Sequence, residues 1–178
     1  MAKHSLRKEF MWYVIQVCSG REEYARDLIE KYKCQEYIEA CRIPLFVRLR
    51  KQGNIWYPET KVLFPGYLFV KTENAAELYE HLRVIPRMTR LLGTGKEIVP
   101  ITAQEEKFLV KIGGDDLVVG MSKGIIEQKQ IKIMSGPLRN MEGSIRRIDR
   151  HKRLAWVSVK MFGREMEIPL GLEVLQVL

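Results

Sequence analysis

The sequence predicts an α+β domain followed by a small all-β domain. Three observations lead there. Apolar runs alternate with capped helical stripes over the first two-thirds of the chain. A stretch rich in glycine and aspartate, Gly113–Gly124, interrupts that order. Beyond it only short apolar runs with turns between them remain, and no helix signal appears.

Each element follows in order. Residues 1–10 (MAKHSLRKEF) are basic but lack the apolar segment of a signal peptide, so a flexible leader is expected. Met11–Cys18 (MWYVIQVC) is β-branched and aromatic, the pattern of a buried strand. Ser19 with Glu22 has capping-box spacing, and Ala25, Leu28, Ile29 and Tyr32 form one apolar helical face. PLFVRLR and IWYPETK flank KQGN, a hairpin pattern, and GYLFVKT reads as the next strand. Asn74 with Glu77 caps a second helix, whose stripe is Leu78, Leu82 and Ile85 and whose stop is Pro86. Met88–Gly93 reads as a short strand, and Thr102 with Glu105 caps a third helix bearing Phe108, Leu109 and Ile112. Helices packed on an antiparallel sheet are therefore expected over 11–112, with a linker at 113–127. Residues 128–178 carry five runs: Ile131–Met134, Gly143–Ile148, Leu154–Met161, Glu165–Ile168 and Glu173–Val177. Five short strands in about 50 residues suit a small barrel, which hides its edges.

The charge is unevenly shared. The chain of 178 residues has a formal charge of +8, and Gln128–Leu178 holds ten basic against five acidic residues, a net +5. A basic excess of this kind points to an anionic partner, nucleic acid first. Other classes are disfavoured. Cys18, Cys34 and Cys41 lack metal or redox spacing and fit a reducing cytoplasm. No stretch approaches the roughly 20 apolar residues of a membrane span. His4, His81 and His151 are isolated, and there is no phosphate loop, zinc motif or acid cluster. No enzyme activity, cofactor, metal or small-molecule substrate is expected.

The sharpest feature is GSIRRIDRHKR (Gly143–Arg153). A solvated turn needs polar residues, but Arg146, Arg147, Arg150, His151, Lys152 and Arg153 repel one another unless an anion lies against them. In the following strand Ala155, Val157, Val159 and Met161 alternate and should face inward, leaving Trp156, Ser158 and Lys160 outside. Trp156 there either stacks on RNA or packs on the linker or first domain. Ile145 and Ile148 are three apart, which breaks alternation and predicts a bulge exposing both Arg146 and Arg147.

These residues also carry a resemblance. WYVIQVCSGREE, FPGYLFV and IPRMTRLLG resemble the N-terminal domain of the NusG family of transcription elongation factors. GPLRNMEGSIRRIDRHKR, VSVKMFGREMEIPL and GLEVLQ resemble its C-terminal KOW domain. The resemblance implies a ferredoxin-like first domain and a five-stranded SH3-like KOW β-barrel. It implies that the first domain binds the clamp helices of RNA polymerase. Tyr67 and Phe69 alternate in GYLFV and, with Phe64, Trp12 and Gln16, match an apolar concavity for that contact; ordinary core packing is the competing reading, strongest for Trp12. The basic tip departs from housekeeping members and resembles the LoaP-type branch, processive antiterminators that read a hairpin in nascent RNA. The RNA-binding candidates are then Arg139, Asn140, Arg146, Arg147, Arg150, His151, Lys152, Arg153, Trp156, Lys160 and Arg164, with Arg164 equally readable as a structural turn residue. The alternative is a general NusG-type elongation factor whose KOW domain docks on Rho or a ribosomal protein. Either would act in the cytoplasm, as an expected monomer.

Overall fold

A computed structural model describes residues 9–32, 36–86 and 98–178. The expected strand at Met88–Gly93, and residues 1–8 of the leader, lie outside the described residues. The strands are β1 (Met11–Gln16), β2 (Ala40–Arg42), β3 (Leu45–Gln52), β4 (Ile55–Val62), β5 (Tyr67–Thr72), β6 (Val99–Pro100), β7 (Val118–Val119), β8 (Ser122–Glu127), β9 (Gln130–Ser135), β10 (Ile145–Asp149), β11 (Leu154–Met161) and β12 (Arg164–Val177). The helices are α1 (Glu22–Lys31), α2 (Ala75–Val84) and α3 (Ala103–Gly113), so the fold is α+β as expected. Two compact units result. One comprises the described residues of Met1–Arg42 and Pro65–Ile101, the other Ile43–Phe64 and Thr102–Leu178.

In the first unit the strand order is β2-β5-β1-β6. Val14 and Ile15 of β1 and Leu68, Phe69 and Val70 of β5 are buried, as are Ala25, Leu28 and Ile29 of α1 and Leu78 and Leu82 of α2. Each such Leu, Ile, Val or Phe contributes roughly 1.5–3 kcal/mol of transfer free energy. Asn74 caps α2 as expected, accepting the Glu77 N–H at 3.2 Å. Burial pushes the thiol of Cys41, on β2, up to about 12, so it is held as an inert thiol.

The expected capping box at Ser19 and Glu22 does not form. Arg21 occupies the N-cap of α1 with no side-chain cap. The Glu22 carboxylate does reach back, accepting the Gly20 N–H at 3.1 Å, but it also accepts the Gly66 N–H at 2.6 Å. Glu22 is 3% exposed. A buried carboxylate is tolerable only when hydrogen-bonded, and here the bond ties the start of α1 to the turn that opens β5.

The second unit holds two sheets, ordered β4-β3-β7 and β10-β11-β12-β8-β9. The hairpin β3–β4 forms where KQGN places it, with Gly53 left-handed at φ 59°. Arg48 pairs with Glu59 at 2.8 Å and Lys61 with the same carboxylate at 2.9 Å, which together hold Glu59 below the usual carboxylate range, Lys61 contributing most. α3 carries the complete Thr102–Glu105 capping box that its spacing predicts. In β11, Ala155, Val157, Val159 and Met161 are buried while Lys160 is exposed and Trp156 and Ser158 are half-buried, the expected alternation.

Two strand assignments differ from expectation. The runs at Glu165–Ile168 and Glu173–Val177 are one strand, β12, which continues through Pro169 and Gly171. Proline fits because β8 pairs with β12 only from Leu172 onward, leaving one edge of β12 unladdered at Pro169. The fifth strand is instead β8, within the segment read as linker. Gly124, which suggested a linker, is a close-approach glycine: a Cβ there would lie 2.8 Å from the Lys132 carbonyl oxygen of β9. β9 and β10 end the strand order and no ladder joins them among the described residues, so the sheet is not closed as the expected barrel requires.

Candidate nucleic-acid interface

The β10–β11 hairpin assembles the basic cluster. Its turn is shaped by Asp149, whose Oδ1 accepts the Lys152 N–H at 2.9 Å, and by Arg153, left-handed at φ 52°. Arg150, His151 and Lys152 are exposed on that turn. The ladder shifts register between Ile145 and Arg147, which is the expected bulge, and Arg146 and Arg147 are both exposed. The Arg147 guanidinium lies 3.7 Å from the centroid of the Trp156 ring. The outward indole thus has a cationic lid from its own hairpin, an arrangement worth roughly 0.5–1 kcal/mol at exposed sites. Arg146 sits 3.8 Å from Glu165, with both side chains more than half exposed, a contact of little energy.

Arg153 behaves differently. Its Nη1 donates to Glu173 Oε1 at 2.6 Å, and its guanidinium lies 4.1 Å from the Trp56 ring of β4. It is half-buried and already committed within the unit. Nothing in the sequence spacing links residue 153 to residues 56 and 173, so Trp56 and Glu173 were not legible as parts of this cluster.

The remaining candidates lie elsewhere. Lys160 is six residues along β11 from Leu154, about 20 Å at strand rise, and borders a cavity with Ser158, Gly163, Glu105 and Phe108. Arg164, exposed, opens β12 at that same far end, paired with Met161. Arg139 and Asn140 are exposed after the buried Leu138, with Asn140 left-handed at φ 64°.

In the first unit, β1 and β5 pair with Gln16 opposite Tyr67, Val14 opposite Phe69 and Trp12 opposite Lys71. Opposed residues share a face, so Trp12, Gln16, Tyr67 and Phe69 do lie on one side of the sheet. Gln16 is exposed, Trp12 and Tyr67 are half-buried, and Phe69 is fully buried. Phe64 belongs to the second unit, is 1% exposed, and meets Phe162 edge-on with ring centroids 5.4 Å apart.

Among the described residues no group of three His, Cys, Asp or Glu could hold a metal ion, and no helix is long and apolar enough to cross a membrane.

Comparison with known proteins adds the family context. The family model described as transcription termination factor nusG matches residues 10–109. The transcription termination/antitermination protein NusG of Thermus thermophilus is 29% identical over 176 residues, covering 89% of this chain and 94% of that protein. The protein of the same name from Bacillus subtilis is 29% identical over 167 residues, covering 89% and 93%. A solved structure described as domain interaction in Thermotoga maritima NusG superposes with a TM-score of 0.56 at 27% identity, covering 93% of this chain and 94% of that one.

Proposed function

We propose that this chain, which belongs to the NusG family of transcription termination and antitermination factors, acts on elongating RNA polymerase as an RNA-directed antiterminator of the LoaP type. Residues 11–112, with a ferredoxin-like fold, bind the polymerase clamp helices through the sheet face that carries Trp12, Gln16 and Tyr67, with the buried Phe69 packing beneath it. Residues 128–178, a KOW domain whose five-stranded sheet takes β8 from the 113–127 segment, grip a hairpin in the nascent RNA. The factor works as a cytoplasmic monomer without cofactor or catalysis. Anchoring on polymerase makes emerging RNA a nearly intramolecular ligand, which raises its effective concentration.

The observation that carries this reading is the exposed group Arg146, Arg147, Arg150, His151 and Lys152 on one hairpin. Asp149 lies among them, with Oδ1 accepting the Lys152 N–H and Oδ2 4.0 Å from the Lys152 ammonium. Clustered long cations on a narrow turn suit the closely spaced phosphates of a folded RNA. Because Arg153 is committed to Glu173, Arg150 is the stronger candidate for hydrogen-bonding a guanine edge.

The test is a salt series with RNA hairpins. Affinity of the intact protein should fall steeply with salt through counterion release, and Lys152→Ala should reduce the slope by about one unit or less. Arg150→Ala should erase preference for a cognate over a scrambled hairpin. Tyr67→Ala should keep the RNA affinity while losing capture by a polymerase clamp fragment. A flat salt response with no hairpin preference would refute RNA recognition and favour the general elongation factor with a protein-docking KOW domain.

A further inference from the structure

The geometry points to a pocket for one extruded nucleotide of the bound RNA, an inference that rests on the RNA-binding role proposed above. Residues from both outer strands of the five-stranded sheet, β9 and β10, line one shallow cavity of about 220 Å3 that is widely open to solvent. Its apolar lining is Ile126, Ile131, Ile145 and Ile148, all half-buried. Its charged lining is Lys129, Arg146 and Arg147, all exposed. No acidic residue lines it. The volume falls below the roughly 300–1,000 Å3 of pockets for drug-sized ligands, and it suits a single flat base.

Two backbone features build this cavity. The first is the bulge. Ile145 and Ile148 are three residues apart and would point to opposite faces of a regular strand. The register shift between Ile145 and Arg147 absorbs one residue, so both isoleucines reach the same cavity and Arg146 stands at its edge. The second is the β8–β9 turn. Glu127 pairs with Gln130, leaving Gln128 and Lys129 as a two-residue loop, with φ of 49° and 66°. Such a loop ordinarily takes Asn-Gly or a similar pair, because side chains are strained there. Lys129 stands where glycine is favoured, and its gain is a cation on the cavity rim.

The occupant follows from charge and shape. An isoleucine floor with three cations and no acid complements a molecule that is flat and weakly solvated on one side and anionic on the other. An unpaired nucleotide has that form: its base enters the cavity, and its phosphates lie against Lys129 and Arg146. Arg146 exchanges its 3.8 Å contact with Glu165 for a phosphate at little cost. Arg147, over Trp156, offers the neighbouring base a place to stack.

The probe is a short RNA hairpin carrying a single 2-aminopurine bulge, compared with the same hairpin lacking the bulge, each titrated with the full-length protein at low salt. The bulged hairpin should bind about tenfold tighter, the scale of one sequestered base. Its fluorescence should rise, because an aliphatic cavity removes the neighbouring bases that quench it. Ile131→Phe, which fills the cavity, should abolish both the rise and the preference. Lys129→Gly should raise the melting temperature by relieving the left-handed turn, yet weaken the bulged hairpin and lower its salt slope by about 0.7. That combination, more stable and less binding, is not what a purely structural lysine would give. Equal binding of the two hairpins with unchanged fluorescence overturns the pocket and leaves the cavity to a protein side chain. Binding of neither hairpin overturns the RNA reading itself.

Discussion

Replacing Glu22 with alanine should destabilise the first unit by about 3 kcal/mol. The carboxylate is 3% exposed and accepts two backbone N–H groups, from Gly66 at 2.6 Å and Gly20 at 3.1 Å. Hydrogen bonds to a charged group contribute about 1.5–3 kcal/mol each, and the deserted donors keep their desolvation penalty. Removing the buried charge recovers part of that, which sets the estimate near the lower sum. Gly66 is left-handed at φ 86°, and its carbonyl accepts the Val17 N–H at 2.8 Å. The turn therefore hangs on Glu22 from one side and on Val17 from the other, and it sets where Tyr67 begins β5. Chemical denaturation gives the stability, and amide exchange at Gly66 reports the local loss. Glu22→Gln, which keeps one acceptor oxygen, should fall between wild type and alanine. A Glu22→Ala midpoint equal to wild type would show that the turn holds without the carboxylate.

Gly171→Ala should cost the second unit about 3 kcal/mol, the upper part of the usual range for forcing an atom into a packed interior. A Cβ on Gly171 would collide with the Val47 carbonyl oxygen of β3 and with Met121 Sδ. Methionine can swing aside, but a carbonyl inside a paired strand cannot without moving β3. Because β4 carries Trp56, the shift should also disturb the contact between Trp56 and Arg153. Urea unfolding monitored by tryptophan fluorescence measures the loss. Gly143→Ala is the control, since a Cβ there meets open space, and it should stay within about 0.5 kcal/mol. Equal midpoints for the two variants would mean that β3 does not press on β12 as described.

Features encoded within a few residues were legible in the sequence. β11 was readable because one face is buried and the other is not. The caps at Asn74 and Thr102 were readable because donor and acceptor lie three residues apart. The bulge was readable from the spacing of Ile145 and Ile148. What failed was long-range. Gly124 suggested a linker, whereas it serves a strand pressed against Lys132. Glu22 fitted a local cap, yet its shorter bond goes 44 residues away to Gly66. Of the candidate site, the tip cations and Trp156 lie on one hairpin, while Lys160 and Arg164 lie towards its far end, where Lys160 pairs across the ladder with the Glu165 that Arg146 contacts. Charge is visible in a sequence; which charges face the same ligand depends on the direction and length of a strand. Likewise, Arg153 reads as one more cation until Glu173 and Trp56 are seen to hold it.

The anchorage of Arg153 also has a kinetic side. Its carbonyl accepts the Leu172 N–H at 2.9 Å while its guanidinium is bound to Glu173, so one end of the turn is fastened at two points. A loop that is free until its partner arrives must be immobilised on contact, at about 0.5–1.5 kcal/mol for each long side chain. Here that ordering precedes the encounter. Calorimetry should show a more unfavourable binding entropy for Glu173→Gln, and an unchanged entropy would mean the fastening is irrelevant to capture. Under the proposed RNA-binding role, a turn shaped beforehand suits a target that exists only briefly, because a preformed grip spends none of that interval finding its own conformation.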